Sequence, residues 1–148
     1  MVLSNPGYSD AKARASIQFG DLLVAEMQER PATGTATDPQ KLNDNATGDF
    51  MYTGILNQYG EIRFRVPARL SQYRHFGHAT SNGDGTWKIE YQDLGGAWHD
   101  WVVGIATRVA SWTGFVPSGT ITAIAIRMTA TLLDSCATNY CGELEVKY

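Results

Sequence analysis

A short polar segment contains the first residue types that could bind a ligand, here a metal ion. Asn43, Asp44, Asn45, Thr47 and Asp49 lie close together and carry carboxylate, amide and hydroxyl oxygens. Calcium is bound by about six to eight such oxygens, backbone carbonyls included. Asn and Asp are also common in tight turns, because their side chains hydrogen-bond to the local backbone. The segment therefore fits either a calcium-binding loop or a solvated turn.

Aromatic and planar polar side chains in predicted loops and strands offer a second chemistry, the recognition of sugars. A sugar ring stacks on a flat aromatic face, and planar polar groups bond to its hydroxyls. The candidates are Tyr52, Trp98, Trp112 and Tyr140 for stacking, with Arg74, His75 and His78 for hydrogen bonding. The alternative is that these aromatic side chains fill the core of a small β-protein, as we expect for Trp87.

The histidines do not form a metal or catalytic set. His75 and His78 are three residues apart on a predicted strand, so their side chains point to opposite faces. A zinc enzyme needs three converging ligands and one open position. The sequence also lacks the G-x-S-x-G, G-x-x-x-x-G-K-S/T and H-E-x-x-H motifs. We therefore expect that the protein is not an enzyme and has no catalytic residues.

Composition excludes several classes of protein. The 148 residues are 43% hydrophobic and 18% charged, which is typical of one domain with a buried core. The net charge of −3 argues against a dedicated nucleic-acid binder. No apolar run approaches the roughly 18 residues of a membrane span, so no membrane insertion is expected.

Local charge and cysteine patterns leave alternatives open. Four arginines form a basic strip that is either a solvated sheet face or a surface for an acidic polysaccharide or subunit: Arg63, Arg65, Arg69 and Arg74. Cys136 and Cys141 could close a small disulfide loop. The N-terminus has no recognisable signal peptide, so synthesis in the cytoplasm and free thiols are expected.

Strands must position these candidate residues, and the clearest pair lies at residues 83–101. Trp87, Ile89 and Tyr91 alternate with polar residues, which places them on one face of a strand. Asp93-Leu94-Gly95-Gly96 then interrupts the pattern, and a second aromatic and β-branched run follows from Trp98. This arrangement predicts a β-hairpin.

Other segments predict further strands. Glu61–Val66 would bury Ile62, Phe64 and Val66, and Pro67 would either end this strand or mark a sheet edge. Glu143–Tyr148 would bury Leu144, Val146 and Tyr148 and expose Glu143. Strands are also predicted at 22–26, 69–78 and 120–131, with loops at 29–49, 111–119 and 132–142. Short strands separated by turns predict an all-β jelly-roll sandwich of about eight antiparallel strands. The sandwich would span residues 29–148, after an N-terminal arm at 1–28 that includes the possible first strand.

Four collinear segments resemble the discoidin-like (coagulation-factor type C) modules of the galactose-binding-like superfamily. They are PATGTATDPQKLNDNATGDF, GEIRFRVPARLSQYR, GDGTWKIEYQDLGGAWHDW, and ITAIAIRMTA followed by GELEVKY. Together they cover about residues 29–148. Two features depart from the family. The two cysteines are not the distant pair that brackets the domain, and the early tryptophan is replaced near Phe50–Tyr52.

The resemblance implies an eight-stranded jelly roll that binds ligands, often glycans, through loops at one end. It also implies a structural calcium ion between the Asp/Asn-rich loop and the closing glutamate. Carried onto this sequence, the calcium ligands would be Asp44, Asn45, Thr47 and Glu143.

These observations predict a non-catalytic carbohydrate-binding or adhesion module. A single module without an export signal and with an N-terminal arm favours a component of a virion, such as a phage head, tail or fibre, that contacts a host glycan. The alternative is a purely structural decoration or assembly protein of a virus particle. The predicted partners are a glycan, other virion subunits or further copies of the chain.

Overall fold

Eight β-strands and one short 3₁₀ helix make up the regular structure of the described residues. The computed structural model describes residues 27–78 and 85–148, so the predicted arm and its strand at 22–26 lie almost wholly outside. The strands are β1 (Thr33–Gly34), β2 (Met51–Thr53), β3 (Tyr59–Phe76), β4 (Thr86–Gln92), β5 (Trp98–Ala106), β6 (Val116–Leu132), β7 (Asn139–Cys141) and β8 (Glu143–Lys147). The helix spans Pro39–Leu42. The predicted all-β class is confirmed.

The strands pair in antiparallel fashion throughout. The larger sheet has the order β1-β3-β6-β4-β5, and β8 pairs with the second half of β3. The small sheet is the pair β2-β7. Because β3 pairs with β6 along most of its length and with β8 at its end, this long strand joins β6 and β8 into one sheet.

Pro67 was predicted to end a strand or to mark a sheet edge; β3 continues through it. The pairing of β3 with β6 shifts in register between Arg63 and Ala68. Proline has no N–H to donate to a ladder and is tolerated at such irregular positions. Val66 lies in the same shift and is 51% exposed, so the prediction that it faces the core was wrong.

The core follows the predicted alternation in most places. Ile62, Trp87, Ile89 and Leu144 are at most 1% exposed, and Phe64 and Val146 are also buried. Two predictions on the last strand were wrong. Tyr148 is 53% exposed because it lies beyond the end of β8, and Glu143 is 1% exposed although it was predicted to face solvent.

The predicted hairpin is confirmed as β4 paired with β5. Asp93 closes its turn, since its Oδ1 accepts hydrogen bonds from the amides of Gly95 and Ala97, both at 2.9 Å. The three predicted loops are partly strand, because Thr33–Gly34 forms β1, Val116–Gly119 belongs to β6 and Asn139–Cys141 forms β7. No disulfide joins Cys136, which is exposed, to Cys141, which is buried.

Candidate functional site

Two tyrosines on neighbouring short strands form a stacked pair at the surface. Tyr52 on β2 is directly opposite Tyr140 on β7, so both side chains lie on one face. Their ring centroids are 5.5 Å apart and their planes differ by 18°. Tyr52 is 37% exposed. The pair therefore presents aromatic surface to solvent.

His78 and Phe50 extend this pair into a larger group. The His78 ring lies 4.9 Å from Tyr140 and 4.4 Å from Phe50. The backbone N–H of His78 donates to the Thr107 carbonyl at 2.7 Å, which anchors its backbone two residues beyond the end of β3. We name Phe50, Tyr52, His78 and Tyr140 the tyrosine cluster. It combines flat apolar faces with one planar polar ring.

The loop after β2 borders the tyrosine cluster and is held by its own hydrogen bonds. Thr53 Oγ1 accepts from the Ile55 amide at 3.0 Å and bonds to Gln58 Oε1 at 2.5 Å. Ile55 and Leu56 are nonetheless 62% and 47% exposed. Exposed apolar side chains on an ordered loop are typical of a contact surface.

A second aromatic group lies on the side of β3 that faces away from the core. The Arg74 guanidinium is 4.5 Å from the Trp112 ring centroid and 4.7 Å from that of Phe115. It also bonds to Glu145 at 2.6 Å. Arg74 therefore already has partners, and its position between the two rings is explained by packing alone.

The loop predicted to bind calcium lies against the start of β8. The Ala46 amide donates to Asp44 Oδ1 at 2.9 Å and to Glu143 Oε1 at 3.0 Å, which brings the two carboxyl groups together. Burial and the contact with Asp44 raise the pKa of Glu143 to about 8. Burial would raise the pKa of Asp44 too, but hydrogen bonds from Glu143, Ala46 and Lys41 lower it.

The other two predicted calcium ligands are in the same loop. Asn45 and Thr47 are both exposed, and Asn45 adopts a positive φ of 65° that turns the chain beside Glu143. Within the described residues no group of three acidic, histidine or cysteine side chains could hold a metal. A cation here would therefore need amide, hydroxyl or backbone oxygens besides the two carboxylates.

Comparison with known proteins finds similarity in structure but not in sequence. No family model and no curated protein matches the chain. The module CpGH89CBM32-5 of Clostridium perfringens, solved with GalNAc-β-1,3-galactose, superposes with a TM-score of 0.68 and 13% identity, over 85% of this chain and 99% of that one. The family 32 module of C. perfringens NanJ, solved with galactose, gives 0.69 and 15%, over 84% and 96%.

A third carbohydrate-binding module agrees with these two. The family 32 module of AlyQ, solved with 4,5-unsaturated mannuronic acid, has a TM-score of 0.68 and 18% identity, over 82% of this chain and 98% of that one. The chain shares the discoidin-like fold of these modules. The resemblance seen in the sequence is thus confirmed for the fold. No helix in the part of the chain that the structure describes is long and apolar enough to cross a membrane.

The discoidin-like fold separates the sequence candidates into groups. Tyr52, His78 and Tyr140 come together, and so do Arg74 and Trp112. Trp98 lies elsewhere, with the Arg127 guanidinium 4.2 Å from its ring centroid. His75 lies in the core, 6% exposed, where its Nε2 is 3.1 Å from the Ala106 carbonyl and burial lowers its pKa.

Phe50 belongs to the tyrosine cluster but was not among the candidates. The one signal in the sequence was its position, because it stands where the family has an early tryptophan. That signal comes from the family resemblance, because neither alternation nor loop composition gave a reason to select Phe50.

Proposed function

We propose that this protein is a non-catalytic carbohydrate-binding module and that its sugar site is the tyrosine cluster. The observation that carries the proposal is the stacked, solvent-facing pair Tyr52–Tyr140 with His78 beside it. Aromatic faces attract the C–H side of a sugar ring, and a planar polar group can bond to its hydroxyls. The ordered apolar loop next to the pair would limit access of water to one side of the ligand.

The comparison structures support this proposal through their fold and their ligands. Three modules of the same fold were solved with galactose, GalNAc-β-1,3-galactose or an unsaturated uronic acid. At identities of 13–18% these ligands belong to those proteins, and the tyrosine cluster is argued from the residues of this chain.

The test is a glycan array followed by calorimetry on Tyr52→Ala. Loss of one stacking ring should weaken binding about tenfold or more, because each such contact contributes roughly 0.5–1.5 kcal/mol beyond the area it buries. Tyr148→Ala is the matched control, since Tyr148 is exposed but lies outside the cluster. Unchanged binding in Tyr52→Ala with loss in Trp112→Ala would move the site to the Arg74–Trp112 group.

We also propose that Asp44 and Glu143 hold a structural calcium ion with Asn45 and Thr47 of the same loop. Two carboxyl groups share one amide, and one of them is 1% exposed, which is costly unless a cation or a proton offsets the charge. Lys41 lies 3.3 Å from Asp44 but is also bound to Asp49. A bound ion would tie the loop to the start of β8.

The setting in a virion, as part of a head, tail or fibre, stays a prediction from the sequence. An adhesion protein would bind a host glycan, whereas a purely structural protein would bind other subunits of the particle and no glycan. Adhesion would be supported if the recombinant protein binds host-cell polysaccharide and the Tyr52→Ala variant does not. Assembly onto particles without any glycan binding would favour the structural role.

A further inference from the structure

A cavity of about 100 Å³ opens beside the loop that carries Asn45. It lies between the 28–45 segment, β8 and the side chain of Phe115. Its polar lining includes Gln28, Arg30, Asn45, Glu145 and Lys147. None of the four members of the tyrosine cluster lines it, so it is a separate place on the surface.

The segment that carries Arg30 is fixed on both sides. The Glu29 amide donates to the Arg63 carbonyl at 2.7 Å, and the Ala32 amide donates to Asn43 Oδ1 at 2.8 Å. Asn43 is 2% exposed and its Nδ2 also donates to the Glu29 carbonyl at 3.2 Å. The backbone that carries the Arg30 side chain is therefore held in place, which would position the guanidinium for a ligand.

The acidic groups at the cavity are occupied by other partners. Glu145 bonds to Arg74 at 2.6 Å, and Glu143 accepts the Ala46 amide at 3.0 Å. Within the described residues, the Arg30 guanidinium donates a long hydrogen bond of 3.5 Å to Asn45 Oδ1. Lys147 Nζ lies 4.4 Å from the centroid of the Phe115 ring. Two cationic side chains, Arg30 and Lys147, thus line the cavity together with Glu143 and Glu145.

We propose that this cavity is a second ligand site that binds the carboxylate of an acidic sugar, such as a uronic acid. The planar guanidinium of Arg30 matches a carboxylate with two parallel hydrogen bonds. Lys147 adds a second positive charge, and the amides of Gln28 and Asn45 can bond to neighbouring hydroxyls. The volume corresponds to about three water molecules, enough for a carboxylate and the adjoining ring atoms.

The experiment titrates galacturonate and its neutral counterpart galactose into the full chain. Calorimetry gives the affinity, and the side-chain amide NMR signals of Gln28 and Asn45 report on the cavity itself. Galacturonate should bind and shift these signals, and galactose should not shift them. Arg30→Gln should weaken galacturonate binding about tenfold or more, and higher salt should weaken it in the wild type.

Three variants keep the proposal open to refutation. Lys147→Gln should weaken galacturonate binding, whereas Arg65→Gln, an exposed arginine outside the cavity, should not. Tyr52→Ala should leave galacturonate binding at the cavity intact. This variant therefore tests the site at the tyrosine cluster separately from the site at the cavity. The proposal is overturned if galacturonate does not bind, if Arg30→Gln has no effect, or if inorganic phosphate binds as tightly as galacturonate.

Discussion

Two buried glutamates in this protein are in opposite electrostatic surroundings. Glu90 on β4 is 6% exposed and Glu143 on β8 is 1% exposed. Burial alone would raise the pKa of Glu90, but bonds from Arg127, Thr129 and Lys88 lower it to about 2. The pKa of Glu143 is raised to about 8 by burial and by Asp44.

The difference comes from the neighbours that each sheet register supplies. Arg127 on β6 is opposite Glu90 and donates to both of its carboxylate oxygens, at 2.7 and 3.1 Å. Thr129 and Lys88 add bonds at 2.7 and 2.9 Å. Glu143 instead meets a second carboxyl group. A buried carboxylate with cationic partners is structural, whereas a buried pair of carboxyl groups is a place where a cation would bind.

The largest expected effect on stability comes from removing the arginine that pairs with Glu90. Arg127→Met should lower the free energy of unfolding by about 3–4 kcal/mol, because it leaves a buried carboxylate without its bidentate partner. Urea denaturation measures this change. Arg65→Met, at an exposed arginine, should change stability by less than about 0.5 kcal/mol. Equal losses in the two variants would show that Glu90 does not depend on Arg127.

Calcium should stabilise the folded protein through the Glu143 side. An ion at about a hundred times its dissociation constant adds about 2.7 kcal/mol when it binds only the folded state. Thermal unfolding with calcium and with chelator should show this gain in the wild type. Asp44→Asn and Glu143→Gln should lose it, and Asp100→Asn, an exposed carboxylate on β5, should keep it. An identical midpoint with calcium and with chelator would refute the calcium site.

The same comparison predicts opposite pH dependences for the two glutamates, measured as urea midpoints in chelator from pH 2 to 9. Folded Glu143 keeps its proton up to about pH 8, whereas the unfolded chain releases it near 4.5. Stability should therefore fall as the pH rises between these values, and Glu143→Gln should not show this fall.

Glu90 should act in the opposite direction within the same series. Its folded pKa of about 2 is below the ordinary 4.5, so its contribution is complete above pH 4.5 and is lost as the pH falls toward 2. Glu90→Gln should remove this acid-dependent loss. A fall above pH 4.5 that persists in Glu143→Gln would assign the titration to another group.

Alternation in the sequence was enough to predict the parts of the fold with regular pairing. It gave the β4–β5 hairpin and the buried Ile62, Trp87 and Leu144 correctly. It failed where pairing is irregular. Val66 lies in a register shift, and β7 has three residues, too few to show a period. For the candidate site, the sequence predicted individual residues but not which of them lie next to each other in the fold.

The sequence by itself determined the all-β class, the main hairpin and the polar character of the loop at Asp44. These features depend on neighbouring residues, whose side chains alternate or turn for local reasons. Only the tertiary structure decided that Glu143 is buried beside a loop 97 residues earlier, and that Tyr52 stacks on Tyr140. Such contacts are set by which strands pair and in which register, and the burial that results decides which groups lie next to each other.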